Sequence, residues 1–314
     1  MIFPPVLNAA LDTMLDGVSR KDLAARAEKM SAAYRSGASS GGIVNAADAL
    51  AYAVARMPAT FAACAAVFAR LSEALPGFAP ASLCDVGAGP GTAAWAAHGR
   101  WPGLTAITLL DRNPALRALA QKLADAQGLD AQIVAGDLGT GLPQTDMVVA
   151  SYVLAEQPEA HAADIAARLW QVTEQALVLI EPGTPAGFAR IRAARAALIE
   201  QGAHVAAPCT HDNVCPMTGD DWCHFSQRLA RSRDHMALKG AQVPFEDERY
   251  AYVAVTREPV ERHVARILST PLESKPGLTF KLCEADGLRS AFVATRDREE
   301  FRGVKKRGWG DLFD

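Results

Sequence analysis

Ser82-Leu83-Cys84-Asp85-Val86-Gly87-Ala88-Gly89-Pro90-Gly91 is the stretch whose reading decides the fold. Its first five residues read as a short buried strand, and the glycines that follow let the chain turn sharply into a helix over 92–98. A helix that opens on such a turn presents free N–H groups to a ligand. Downstream, 105–110 reads as a second strand ending at Asp111, and 114–127 as its helix. Residues 131–135, 147–150 and 176–180 continue the strand series, and a helix over 186–201 ends it. Strands alternating with helices predict a parallel sheet covered on both faces, an α/β Rossmann-like domain.

Upstream, residues 8–76 read as helices. Leu11, Leu15 and Val18 share a face, and Leu23, Ala27, Met30 and Tyr34 continue at helical spacing. Ser19 with Asp22 resembles a capping box. A flexible break is expected over 37–42, then two helices, 46–56 and 59–75, with Pro58 opening the second. Beyond the α/β half, residues 203–240 hold three cysteines, four histidines and two prolines, too much for a crossover loop. The stretches 249–256, 277–282 and 290–295 read as closing antiparallel strands and a small β appendage. The expected division is a helical lobe over 1–77, the Rossmann domain over 78–202, a Cys-rich metal-binding insertion over 203–248, and closing strands, appendage and basic tail over 249–314.

With 314 residues, 50% hydrophobic and 21% charged, the chain is neither disordered nor collagen-like. A net charge of −3 excludes a globally basic nucleic-acid coat, and no DNA partner is expected, though local basic patches remain open. No run approaches the length of a membrane span, so no membrane partner is expected. The first residues, Met1-Ile2-Phe3-Pro4-Pro5, show neither a secretory nor a transit pattern, which predicts a cytoplasmic protein. In reducing cytosol the six cysteines point to metal binding or catalysis rather than disulfides.

Asp111, at the end of the second strand, is where a carboxylate would bind ribose hydroxyls, so the Gly-rich turn could serve NAD or S-adenosylmethionine. Asp85 favours the latter, because an acid there suits its cationic methionine end. Asp137, after the third strand, is placed to accept from an adenine amino group. The series over 78–200 resembles the class I S-adenosylmethionine-dependent methyltransferase family. That resemblance implies Asp85, Gly87, Gly89 and Gly91 at the methionine end, Asp111 at the ribose and Asp137 at the adenine, with Ser151 after the fourth strand completing the set. No catalytic signature accompanies it. Ala150-Ser151-Tyr152-Val153-Leu154-Ala155-Glu156 stands where amino-group methyltransferases carry Asn or Asp before Pro-Pro. Tyr152 and Glu156 are read as solvent residues at a helix start rather than acid–base groups.

Cys209, Cys215 and Cys223 lie close together in sequence, in a polar stretch where free thiols seldom gather without a ligand role. Four thiolates suit an iron–sulfur centre, and Cys283 is the natural fourth because Cys64 and Cys84 belong to buried elements. The spacing is not a short zinc knuckle, yet His211 or His224 could replace Cys283, so zinc stays open.

Pro208-Cys209-Thr210-His211-Asp212, Cys215-Pro216, Asp221-Trp222-Cys223-His224-Phe225 and Phe245-Glu246-Asp247-Glu248-Arg249-Tyr250 resemble the ribosomal small-subunit methyltransferase-like family of mitochondria and bacteria. Arg56-Met57-Pro58-Ala59-Thr60, Glu181-Pro182-Gly183 and Gly308-Trp309-Gly310-Asp311-Leu312 fit it too, so the likeness spans nearly the whole chain. It implies an S-adenosylmethionine-binding protein acting on the small ribosomal subunit and its rRNA, as assembly factor or methyltransferase. It also implies a [4Fe–4S] cluster on Cys209, Cys215, Cys223 and Cys283. The runs Arg228, Arg231, Arg233, Lys239 and Arg296, Arg298, Arg302, Lys305, Lys306, Arg307 are the expected rRNA contacts. The rival reading is a small-molecule or protein methyltransferase with a structural zinc.

Overall fold

The computed structural model describes residues 3–35, 40–138 and 141–314. The side chain of Tyr34 and residues 37–39 of the expected break lie outside the described part. Three helices come first: α1 (Pro5–Leu15), α2 (Arg20–Arg35) and α3 (Ala46–Ala74). Ser19 does accept from the Asp22 N–H, at 3.3 Å, which is half of the capping box. The two helices expected around Pro58 are one. Pro58 removes an interior hydrogen bond, but Val54, Ala55, Met57, Ala59 and Phe61 on both sides are buried, so packing carries the helix across it. By length and composition α3 could cross a membrane, contrary to the reading of the sequence. However, 72% of its apolar window is buried inside the protein, which makes it a core helix.

The sheet follows: β1 (Ser82–Val86), α4 (Thr92–Arg100), β2 (Ala106–Asp111), α5 (Pro114–Gln127), β3 (Ala131–Ala135), β4 (Thr145–Ser151), α6 (Ala162–Gln171), β5 (Thr173–Pro182) and α7 (Pro185–Glu200). Then come β6 (His204–Ala207), β7 (Phe225–Ala230), α8 (Arg233–Lys239) and β8 (Phe245–Thr256). The strand order is β3-β2-β1-β4-β5-β8-β6, with β7 also on β8. Strands β1 to β5 are parallel and β8 runs antiparallel to β5, which is a Rossmann-like sheet with a mixed edge. Its order reverses between β1 and β4, and in such sheets ligands bind outside the carboxyl ends at that point.

The 203–248 segment is not irregular throughout. Both β6 and β7 are hydrogen-bonded to β8, and the longest stretch without helix or strand is 208–224. A second sheet holds β9 (Ala265–Ile267), β10 (Leu272–Ser274), β11 (Gly277–Glu284), β12 (Gly287–Ala294) and β13 (Leu312–Phe313) around Phe280, Leu282 and Val293. The chain end is folded rather than a loose tail. Helix α9 (Arg298–Val304) precedes Trp309, whose indole donates to the His224 carbonyl at 2.9 Å, and Asp311, which pairs with Arg70 at 2.6 Å.

Candidate functional site

The turn after β1 is built on left-handed backbone. Gly87 has φ +68 and a Cβ there would lie 2.3 Å from Val153, while Gly91, at φ +81, caps α4 against the Trp95 ring. Both Gly87 and Ala88 donate to the Leu110 carbonyl, which fixes the turn against the end of β2. Asp111, 7% exposed, accepts from Gly89 N–H through one carboxylate oxygen and from Asn113 N–H through the other, each at 2.7 Å.

Gly87, Gly89, Asp111, Asp137 and Ser151 line one cavity of about 1720 Å³ at the carboxyl ends of β1 to β4. The structure thus brings together five of the seven expected cofactor residues. Asp85 and Gly91 stand behind the wall. Asp85 is fully buried and accepts from the Ala94 N–H at 3.1 Å, holding the first turn of α4. Burial, with the Asp111 carboxylate nearby, pushes Asp85 up to about 7 against that hydrogen bond.

Sequence reasoning missed the roof. Asn113 caps α5 and donates to the carbonyls of Ser40 (3.1 Å) and Ile43 (2.8 Å). Glu156 receives the Ser40 N–H and hydroxyl at 3.0 and 3.1 Å and pairs with Arg112 at 3.1 Å. Glu156 is therefore a tie between the helical lobe and the sheet, not a solvent residue. Tyr152 is equally misread as solvent. It sits at φ 61, a strained conformation for a bulky residue, and its hydroxyl donates to Glu248 at 2.8 Å. Arg56 meets the same carboxylate at 3.3 Å, which joins α3, β4 and β8 beneath the cavity. Burial first, and Glu248 second, hold the Tyr152 phenol far above its ordinary range, so it is no base. A sequence signal for this link existed in Arg56 and Glu248, both inside quoted motifs but far apart in the chain.

Cys209, Cys215, Cys223 and Cys283 all pack on the same apolar cluster behind the sheet, Cys283 buried and the others half-buried. Burial raises the Cys223 thiol well above its usual value, and charge on Cys209, Cys215 or Cys283 raises it further. Cys283 is pushed up to about 12, mainly by burial and then by Cys209 and Cys215. Cys223 thus lies within electrostatic reach of the other three, although among the described residues no three His, Cys, Asp or Glu side chains converge as a ready ligand set. His211 Nε2 lies 3.7 Å from the Cys283 sulfur. Cys64 and Cys84 are fully buried elsewhere, as expected.

The basic runs are partly spent. Arg228 pairs with Asp247, and Arg231 and Lys239 with Glu246. Lys305, Lys306 and Arg307 are exposed and carry no ion pair among the described residues.

A family model described as "Mitochondrial small ribosomal subunit Rsm22" matches residues 46–314. The chain belongs to the Rsm22 family. Among Rsm22-like proteins, the human "Ribosome assembly protein METTL17, mitochondrial" is 29% identical over 293 residues, covering 84% of this chain and 62% of that protein. "Rsm22-cox11 tandem protein 2, mitochondrial" of Schizosaccharomyces pombe is 24% identical, covering 74% of this chain and 38% of its own length. The chain therefore spans about three fifths or less of these relatives. Among solved structures, magnesium protoporphyrin IX methyltransferase from Synechocystis PCC 6803 with bound SAM overlaps 64% of this chain and 80% of its own, at TM-score 0.42 and 17% identity. A putative RNA methyltransferase, PH1948 from Pyrococcus horikoshii, overlaps 61% and 83%, at TM-score 0.42 and 12% identity. The mitochondrial descriptions of the Rsm22 family and of these relatives overturn the cytoplasmic expectation. That expectation rested on the first residues alone, which carry no weight against the likeness over residues 46–314.

Proposed function

We propose that this chain binds S-adenosylmethionine in the cavity over β1 to β4 and works as a methyltransferase-like factor in assembly of the small ribosomal subunit, in contact with its rRNA. The observation that carries the reading is the convergence of Gly87, Gly89, Asp111, Asp137 and Ser151 on one cavity. Asp111 is pre-positioned by two backbone donors and keeps further lone pairs for ribose hydroxyls. Asp137 suits an adenine amino group, and the Gly87–Gly91 turn, backed by Asp85, suits a cationic methionine end. The cavity exceeds the roughly 300–1,000 Å³ of ordinary small-molecule sites, which leaves room for an acceptor or an RNA segment beside the cofactor. Lys21, Arg112, Arg168 and Arg190 are on its lining, and Lys305, Lys306 and Arg307 stand free outside it.

Tyr152 and Glu156 are both engaged in structural hydrogen bonds, which favours an assembly role over methyl transfer. The small subunit is drawn from the family's description, and the assembly role from the human relative's name. Wild-type protein should bind S-adenosylmethionine in calorimetry and co-sediment with small-subunit precursors. Tight NAD binding would sink the cofactor assignment, and failure to sediment with small-subunit particles would sink the ribosomal one.

Cys209, Cys215, Cys223 and Cys283 would hold a [4Fe–4S] cluster. Four thiols on one apolar patch, with Cys223 sensing charge on the other three, suit such a ligand set. Changing any one of them to Ser should bleach the anaerobically purified protein and loosen 208–224 to proteolysis, whereas Cys64→Ser and Cys84→Ser should keep the colour. Colourless protein with one stoichiometric zinc would refute the iron assignment, and His211, beside Cys283, would then be tested as a zinc ligand.

A further inference from the structure

Two arginines lie deep beside the cysteines. Arg195, on α7, is 5% exposed, and Arg266, on β9, is 4% exposed. A buried guanidinium is costly unless an opposite charge compensates it. Among the described residues neither has a carboxylate within ion-pair distance. The acids beside the segments they contact are paired elsewhere: Asp212 with Arg262 and His204, Glu284 with Arg289, and Asp311 with Arg70.

What the two arginines do touch is the cysteine segment. Arg266 Nε donates to the Pro208 carbonyl at 2.7 Å, and Arg195 Nη2 to the His211 carbonyl at 2.8 Å, so they bracket Cys209. Arg266 also stands directly opposite Cys283 in the β9–β11 pairing. Arg195 sits beside the Cys209 thiol and its charge reaches Cys283, while the Arg266 charge reaches Cys209 and Cys223. Arg195 Nε is buried with no hydrogen-bond partner among the described residues. Two buried cations without a carboxylate partner among the described residues thus stand against the cysteine segment.

We propose that Arg195 and Arg266 are the built-in counter-charges of a thiolate-held metal centre, placed to compensate its negative charge inside the protein. This rests on the reading of the four cysteines as ligands. Four thiolates around a dicationic iron–sulfur core leave two negative charges, matching the two guanidinium groups. The backbone contacts at Pro208 and His211 position the ligand segment, Arg266 Nη1 also donates to the Gly310 carbonyl at 3.0 Å, and neither guanidinium charge is neutralised by a carboxylate among the described residues. Neither arginine is a ligand; both act through the cysteines.

The consequence has opposite signs in the two states of the protein. Without metal, each arginine is an uncompensated buried cation, so Arg195→Gln should leave thermal stability of the metal-free protein unchanged or raised. Loaded with iron and sulfide under anaerobiosis, the same variant should lose iron to a chelator about tenfold faster than wild type. Its midpoint potential, titrated with dithionite, should move negative, because reduction adds charge that the lost cation had favoured. A tenfold change in that equilibrium corresponds to about 59 mV for one electron. Arg195→Lys, which keeps the charge, should restore most of the potential. Arg266→Gln is the independent second variant should one of the pair fail to fold. Equal loss of stability with and without metal, at unchanged potential, would show a merely structural role and overturn the proposal. Wild-type protein that takes up neither iron nor zinc would instead remove the metal centre itself, and this inference with it.

Discussion

Glu181, at the end of β5, is fully buried, with one carboxyl oxygen accepting from the Leu154 N–H at 2.8 Å and the other unpartnered among the described residues. Burial drives it from 4.5 up to about 8, against the Leu154 bond and the Arg190 charge. The folded protein therefore holds a proton that the unfolded chain gives up between those values. Its stabilising effect is complete below the lower value and is lost as pH rises through the upper one, at up to about 1.4 kcal/mol per pH unit. Urea unfolding from pH 5 to 8 should show this fall, and Glu181→Gln should flatten it; identical slopes would mean the carboxyl is already ionised when folded. At the same scale, Asp111→Ala should weaken S-adenosylmethionine binding by about 1–3 kcal/mol, as for a buried bond to a charged group, and calorimetry showing unchanged affinity would remove Asp111 from the site.

At the level of elements, the β1–α4 turn works by what its glycines leave out. A methyl at position 87 would meet Val153 at 2.3 Å on backbone at φ +68. Gly87→Ala should therefore cost about 1–3 kcal/mol in denaturant midpoint and weaken cofactor binding, whereas Gly99→Ala, on the open face of α4 with nothing within 4 Å, should fold normally. The turn was legible in the sequence because glycine spacing and strand length are local properties. The continuity of α3 was not. Proline is a local stop signal, and the packing of Met57, Ala59 and Phe61 that overrides it comes from residues distant in the chain.

Across the whole molecule, a ligand that binds only the folded form must stabilise it. S-adenosylmethionine at a hundred times its Kd should add about 2.7 kcal/mol, and NAD nothing comparable, in a thermal-shift titration. If the exposed Lys305, Lys306 and Arg307 meet rRNA phosphates, neutralising all three should flatten the salt dependence of RNA binding by about 0.7–0.9 log units per lost contact. An unchanged slope would return them to solvent. The other basic run is a poorer prospect, since Arg228, Arg231 and Lys239 are held by Asp247 and Glu246.

The sequence by itself determined the alternation of strands and helices, the glycine turn, Asp111 and Asp137 at strand ends, and the grouping of three cysteines. Each is set by short-range periodicity or by neighbours along the chain. Only the tertiary structure decided what lies between them: that Glu156 and Asn113 tie the helical lobe to the sheet, that Arg56 and Tyr152 share Glu248, and that Asp85 stands behind the cavity wall. It alone set two unpaired arginines against the cysteines. These contacts join residues far apart in the chain, and whether a charge is compensated depends on what surrounds it once the core has closed.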